Sequence, residues 1–506
     1  MSIENLQETG LGYGSSNREE LNKLIKALQA NTTQTNIAQL QGGGALQVQS
    51  LESTLVVLTA QENNANFLRL WKNIPKDQAY STIEEYTTQL GYGMGDFGWA
   101  NQLDLPEEAD PYLKREYAVV KFIRKVWKVS DIATMVKNIS DPEVIAKRSS
   151  LLNALRTLNE SLYWGDSNLI PEMIDGFEKV ITTNSSNESN IIDARNGLQE
   201  SHFQQLAEII VSNFGNVEGA GLYVSPAGMS AISNLILPGQ RFLLNQIGAD
   251  GKLAIGYGID RIRTNYGTII PQMDLSIAAI YEGRGVPTIP DPNNPNNRIE
   301  GATSSKAPNT PTVSVTTLGN QPNSRWVNGS TLRPAGVAYS YRVAAGNKYG
   351  LSQASTIVTS NIVPSGGSVR LTITKANTGE PTTFFEIYSE KSPGSGFRLL
   401  KRIPASSGAT TTFDDLNHDI PGTTKMFLLD FTSTGEQRAC TLKRLAPALS
   451  QELAKIGPYR WGYTYLYLTP IYYAPLRFAM IKNVDVAIAR ASKYVSIPHR
   501  YAINKI

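Results

Sequence analysis

Apolar residues along this chain follow two kinds of periodicity, separated by stretches that follow neither. In "NREELNKLIKALQA", Leu21, Leu24, Ile25 and Leu28 share one face of a helix that Ser16 or Asn17 can cap. After a Gln/Asn/Gly-rich break, Leu51, Leu55 and Leu58 begin a second stripe running toward "NFLRLWKNI". Residues 1–75 therefore read as a helical arm with little core of its own, whose stripes must be buried against something else. Residues 76–117 change to alternation (Tyr80, Thr82, Glu84, Tyr86), with glycines at 91, 93, 95 and 98. That pattern predicts an extended hairpin with a flexible tip, projecting from the body.

"AVVKFIRKVWKVSDIATMV" has the β-branched and aromatic content of a strand. A long helix follows over about 141–164. Asp141 is its expected N-cap and Pro142 its first residue. Its predicted buried stripe is Val144, Ile145, Leu151, Leu152, Leu155, Leu158 and Leu162. Gly165 is expected to close it as a left-handed C-cap, and Asp166 to serve the turn rather than acid–base chemistry.

Residues 191–283 alternate helix and strand. "ESHFQQLAEIIVSNFG" predicts an amphipathic helix, and Leu222–Val224 a buried strand that turns through Ser225-Pro226 into another helix. "GVPTIPDPNNPNNRIEGATSSKAPNTP" reads as a Pro/Asn linker. Beyond it, to about residue 424, short alternating strands predict an all-β unit with Tyr339, Tyr341 and Val343 pointing into a core. The α/β pattern then resumes, with a helix expected at "PALSQELAKIG" and tyrosine-rich strands at "WGYTYLYLTP" and "LRFAMIKNV". A β unit is thus set inside a second fold, over 284–424 including its linker.

The bulk numbers narrow the chemistry. At 506 residues, 41% hydrophobic and 18% charged, the chain is globular and long enough for several domains. Its net charge of +3 announces no nucleic-acid clamp. The single cysteine, Cys440, excludes an internal disulfide framework and is expected in a core. The N-terminus has neither a basic leader nor an apolar segment, and no run reaches the ~18 apolar residues of a membrane helix, so neither a secretory signal nor a membrane role is expected. Three scattered histidines (His202, His418, His499) make no zinc spacing. "GYGMGDFG" lacks the buried strand and following helix of a phosphate loop, and no Gly-x-Ser-x-Gly elbow occurs. The acidic pairs Glu107-Glu108 and Asp414-Asp415 are expected on solvated turns. No enzyme, cofactor or metal is expected.

The order of the parts is more specific than any one motif. An arm, a glycine-tipped hairpin, a strand, a long helix ending in "LYWGDS", the crossing segment "PEMIDGFEKVI" and the element "LYVSPAGMSAISNL" follow one another, and "YLYLTPIYYAPLRFAMIKNV" closes the chain. This order resembles the major capsid protein of tailed bacteriophages, the Hong Kong 97-type fold. The resemblance implies an α+β chain with N-arm (1–75), E-loop (76–117), P-domain (118–190) carrying the spine helix, and A-domain (191–283, with the return at 425–506). "AYSYRVAAGNKYGLSQAS" and "FEIYSEKSPGSGFRLLKRI" resemble strands of a fibronectin type III or immunoglobulin-like sandwich, inserted at 284–424. The implied role is non-enzymatic self-assembly into hexameric and pentameric capsomers of a shell around double-stranded DNA, built in the host cytoplasm. Portal, scaffold and auxiliary capsid proteins are implied partners, and the virion the location. Subunit contacts are expected at Leu21, Leu24, Ile25, Leu28, Leu51, Leu55, Tyr92, Phe97 and Trp99. Some members of that family weld subunits through a Lys–Asn bond. No lysine lies between Gly91 and Gly98, so none is expected here. The rival reading is a tail or baseplate protein, or an adhesin, with a fibronectin-like module.

Overall fold

The computed structural model describes residues 68–91, 99, 110–136, 141–185, 188–235, 259–293, 297–434, 437–455 and 457–486. The expected helix over 17–30, the stripe Leu51, Leu55 and Leu58, the glycines at 93, 95 and 98 and the Glu107-Glu108 pair lie outside them, while Arg69–Asn73, toward which that stripe runs, is helical.

The long helix runs Pro142–Trp164, with the Asp141 carboxylate accepting from the Glu143 amide and Pro142 in its first turn. Its C-terminal half is buried through Ala154, Leu158, Leu162 and Tyr163. They pack against a mixed five-stranded sheet, in which Tyr459–Tyr472 is the long central strand. One edge of that strand pairs with Lys121–Ser130 along ten positions. The other pairs with Cys440–Arg444 and Leu449–Glu452, and Lys76–Gln78 adds a parallel strand beside Cys440–Arg444.

Two features of the helix differ from expectation. Val144 and Ile145 are exposed, because the first turns meet charges rather than core. Lys147 bonds Glu143 and Glu452, and Arg460 bonds Glu143. Gly165 is extended (φ −57°, ψ 143°), not left-handed. Its role is spatial: a Cβ there would overlap the Ile174 carbonyl and come within 2.5 Å of the Ser161 oxygen. The chain crosses itself here, with the Gly176 amide donating to the Gly165 carbonyl at 2.9 Å. Gly176 is equally constrained, since its Cβ would lie 2.7 Å from the Gly165 nitrogen. Asp166 is a turn residue, accepting from the Asn168 amide and pairing with Lys179.

A second sheet has six strands in the order Ile191–Asp193, Phe478–Val484, Thr424–Asp430, Ala220–Val224, Gly267–Met273 and Ile262–Thr264. Helix Glu200–Ser212 covers one face with Phe203, Leu206 and Ile210. Ser225 caps helix Pro226–Ser233 by accepting from the Gly228 amide. The segment "PALSQELAKIG" is not helical: Leu449–Glu452 is a strand. The exposed edge of the central strand supplies a hydrogen-bonding template that overrides local helix spacing.

Between these elements lie two antiparallel sheets. One is Thr312–Leu318, Ser368–Thr374 and Thr410–Asp415; the other is built on Ser340–Asn347, Phe384–Glu390 and Phe397–Pro404. They share a core containing Trp326, Tyr339, Tyr341, Val343, Leu371 and Phe385. Arg333 is fully buried in it, paired with Asp415 at 2.7 Å and lying over the Trp326 and Tyr339 rings. Asp415 is therefore a core ion-pair partner and not a solvated turn residue. The expected linker contains two short strands, Thr288–Pro290 and Arg298–Glu300, which pair with each other.

Candidate assembly surface

A row of exposed apolar side chains lies on the hairpin Ile83–Gly91/Tyr112–Val119. It forms a two-stranded sheet of its own, and Ile83, Glu85, Thr87 and Gln89 face Val119, Tyr117, Arg115 and Leu113 across the register. Side chains alternate across a strand, so these eight share one face. Ile83, Leu113, Tyr117 (72% exposed) and Val119 are all open to solvent on it, beside an Arg115–Glu85 ion pair. The opposite face leans on the body. Tyr86 stands edge-on to Tyr473 at 5.3 Å and donates its hydroxyl to Glu116. Burial, reinforced by Glu116, pushes the Tyr86 phenol well above its ordinary range. A two-stranded ribbon of this kind is marginal alone in water and gains stability when its free face is covered. Further exposed apolar side chains follow at Ile132, Met135 and Val136, and at Val144 and Ile145 on the long helix.

Of the contact residues expected from sequence, only Trp99 is described, and it is 92% exposed. Leu21, Leu24, Ile25, Leu28, Leu51, Leu55, Tyr92 and Phe97 lie outside the described residues. Sequence reasoning missed the outward row Ile83, Leu113, Tyr117 and Val119. Its signal was the alternation in "YLKREYAV".

The end of the long helix is held by the two-sheet unit. Arg402 lies 3.8 Å and Arg284 4.4 Å from the Trp164 ring centre, and Arg402 also donates to the Trp164 carbonyl. Arg284 forks onto Glu386 at 2.7 and 3.1 Å, and Tyr388 donates to the same carboxylate. Burial opposes the charge on Glu386, yet Arg284 holds its pKa below the ordinary value. Glu178 behaves likewise, with burial outweighed by Lys425. At another contact, Arg325 bonds Asp193 and Glu188, and Arg195 reaches the Arg325 and Asn417 carbonyls.

His202 completes a capping box at Gln199, and His418 lies 3.5 Å from Glu188. Cys440 is buried, its thiol pushed far up by burial. No cluster of metal ligands occurs among the described residues. No helix among them is long and apolar enough to cross a membrane.

No protein-family model matches the chain. In sequence it is 22% identical over 453 residues to a "Putative major capsid protein" of Enterococcus phage phiEF24C, spanning 87% of this chain and 90% of that one. The likeness is too long to rest on any single module. Among solved structures, the capsid of a native GTA particle covers 89% of this chain and is itself covered in full, at 9% identity and TM-score 0.46. A chain from Mycobacterium phage Adephagia covers 88%, with 96% of its own length, at 8% identity and TM-score 0.39.

Proposed function

We propose that this chain is the major capsid subunit of a tailed bacteriophage, self-assembling into capsomers of a closed shell around double-stranded DNA. The near full-length sequence relation to a phage capsid protein carries the reading. The described surface supports it: the hairpin keeps one face and a row of large apolar side chains uncovered in the single copy. Surfaces left open in this way are buried on neighbours, so folding and assembly are coupled.

In this reading residues 1–75 act as N-arm, 76–117 as E-loop, and 118–190 as P-domain. Residues 191–283 with 425–506 form the A-domain. The two-sheet unit within 284–424 is an inserted immunoglobulin-like sandwich on the exterior, and portal, scaffold and auxiliary proteins are the further partners. The sandwich stabilises or decorates the shell rather than binding a glycan.

Electron microscopy of the purified chain, alone and co-expressed with its genomic neighbours, tests this. Closed shells, or rings of five and six subunits, are expected. A monodisperse monomer or trimer under every condition overturns the reading in favour of a tail protein or adhesin.

A further inference from the structure

Two asparagine–glycine pairs occur in the chain, Asn196-Gly197 and Asn328-Gly329. Both asparagines are exposed, and at both glycines an added Cβ would meet nothing within 4 Å. An asparagine followed by glycine can react with its own backbone, because no Cβ shields the next amide nitrogen from the side-chain carbonyl.

The two pairs differ in what holds that nitrogen. The Gly197 amide donates to the Ala194 carbonyl at 2.9 Å, closing a turn with Asn196 as its third residue. That bond occupies the amide proton and fixes the peptide plane. Gly329, at φ +72°, has an amide with no hydrogen-bond partner among the described residues. The loop around it is nevertheless fastened at both ends. Trp326 is in the sandwich core, the Val327 carbonyl accepts from the Ala335 amide at 3.0 Å, and Arg333 pairs with Asp415. Asn328 and Gly329 are therefore free to rearrange locally while the unit stays folded.

We propose that Asn328 is a self-modification site, converting to aspartate and isoaspartate in the folded chain, while Asn196 is held back by its turn. The Gly329 amide loses its proton to solvent hydroxide, and its nitrogen attacks the Asn328 side-chain carbonyl carbon. A C–N bond forms, the C–Nδ2 bond breaks, and the nitrogen leaves as ammonia with a proton returned from water. A cyclic imide remains. Water then adds to either ring carbonyl. Cleavage of the new C–N bond leaves aspartate, and cleavage of the original peptide bond leaves isoaspartate, with the main chain rerouted through the side chain. The sum is one water consumed and one ammonia released, with no change of oxidation state. Each conversion places a negative charge three residues from Arg325, the cation that meets Glu188 and Asp193. The chain thus carries a record of its own age in the inserted unit.

The test incubates the full chain in mildly alkaline buffer, folded or in urea, and follows tryptic peptides 326–342 and 196–241. Replacement of NH by O is read by mass, and isoaspartate by methyl transfer from an isoaspartyl methyltransferase. In the folded chain, conversion is expected to be about tenfold faster at Asn328 than at Asn196, the factor of one backbone hydrogen bond. In urea the two rates should converge. Asn328→Gln should abolish the signal from its peptide, since the longer side chain closes the ring far more slowly. Equal rates in the folded chain, a faster Asn196 or an unreacted Asn328 would overturn the proposal. A difference of the same size in urea would overturn it too, because the selectivity would then come from neighbouring residues and not from the fold.

Discussion

Trp164, with two guanidinium groups against its ring, offers the sharpest test of how the two-sheet unit is joined to the long helix. The indole is 9% exposed, with Arg402 and Arg284 at 3.8 and 4.4 Å. Truncation to alanine removes a large buried side chain and leaves a cavity, a change that costs about 3–5 kcal/mol. The cation–π part is separable. A desolvated cation over an indole contributes about 2 kcal/mol, and Arg402 has this contact in addition to its bond to the Trp164 carbonyl. A double-mutant cycle with Trp164→Leu and Arg402→Met should therefore show a coupling of about 1–2 kcal/mol. The assay is urea denaturation of the unassembled chain, with hydrogen exchange reporting the last helical turn. Arg284 keeps its fork onto Glu386 in each variant, so the cycle does not orphan a buried charge. A coupling below about 0.5 kcal/mol would refute the claim that the stack holds the joint, and would leave Trp164 as simple packing.

Further outcomes follow from the same geometry. Gly165→Ala should abolish soluble expression or lower the melting temperature sharply, because its Cβ overlaps the Ile174 carbonyl. Glu282 is fully buried, with the Ser225 and Thr424 hydroxyls as its polar neighbours. Burial raises its pKa above 4.5, an effect the Ser225 and Thr424 hydroxyls only partly offset. The stability it permits is thus complete at low pH and declines as pH rises through the folded value. Glu282→Gln should flatten that decline in melts from about pH 4 to about pH 8. Asp193 and Glu188 have the opposite sign: burial is outweighed by Asn483 and Arg195 for Asp193, and by Lys482 and Arg325 for Glu188. Their contribution is present above the ordinary 3.8 and 4.5 and is lost as pH falls through the lower folded values. Arg325→Met should shrink that acid-side loss. Cys440 should resist thiol reagents until the chain unfolds, since burial raises its pKa and denies access.

How much of this was legible depends on where each signal resides. The helix Pro142–Trp164 was readable because Asp141-Pro142 and the leucine spacing are local. Its glycine stop was placed correctly but for the wrong reason, because the crowding at Gly165 comes from Ile174, nine residues further on and visible only when folded. Leu449 and Leu453 mimic helical spacing, and only the partner strand reveals Leu449–Glu452 as an edge. Asp415 beside Asp414 looks like a solvated pair until Arg333 arrives from elsewhere in the chain. The long central strand was written plainly in "YRWGYTYLY", but period two identifies a strand without saying which of its faces meets the core.

The mounting of the two-sheet unit has a mechanical consequence. Its chain leaves just after Glu282 and returns at Thr424, next to Ser225 in the body. It is also pinned at Trp164, and again where Arg325 meets Asp193 and Glu188. Three separated anchor points remove both swing and twist, as a tripod does for an instrument. A pendant on a two-strand tether would average over many orientations. This unit would keep one bearing relative to the long helix, so a peptide grafted into its loops would be held in one pose rather than averaged over many.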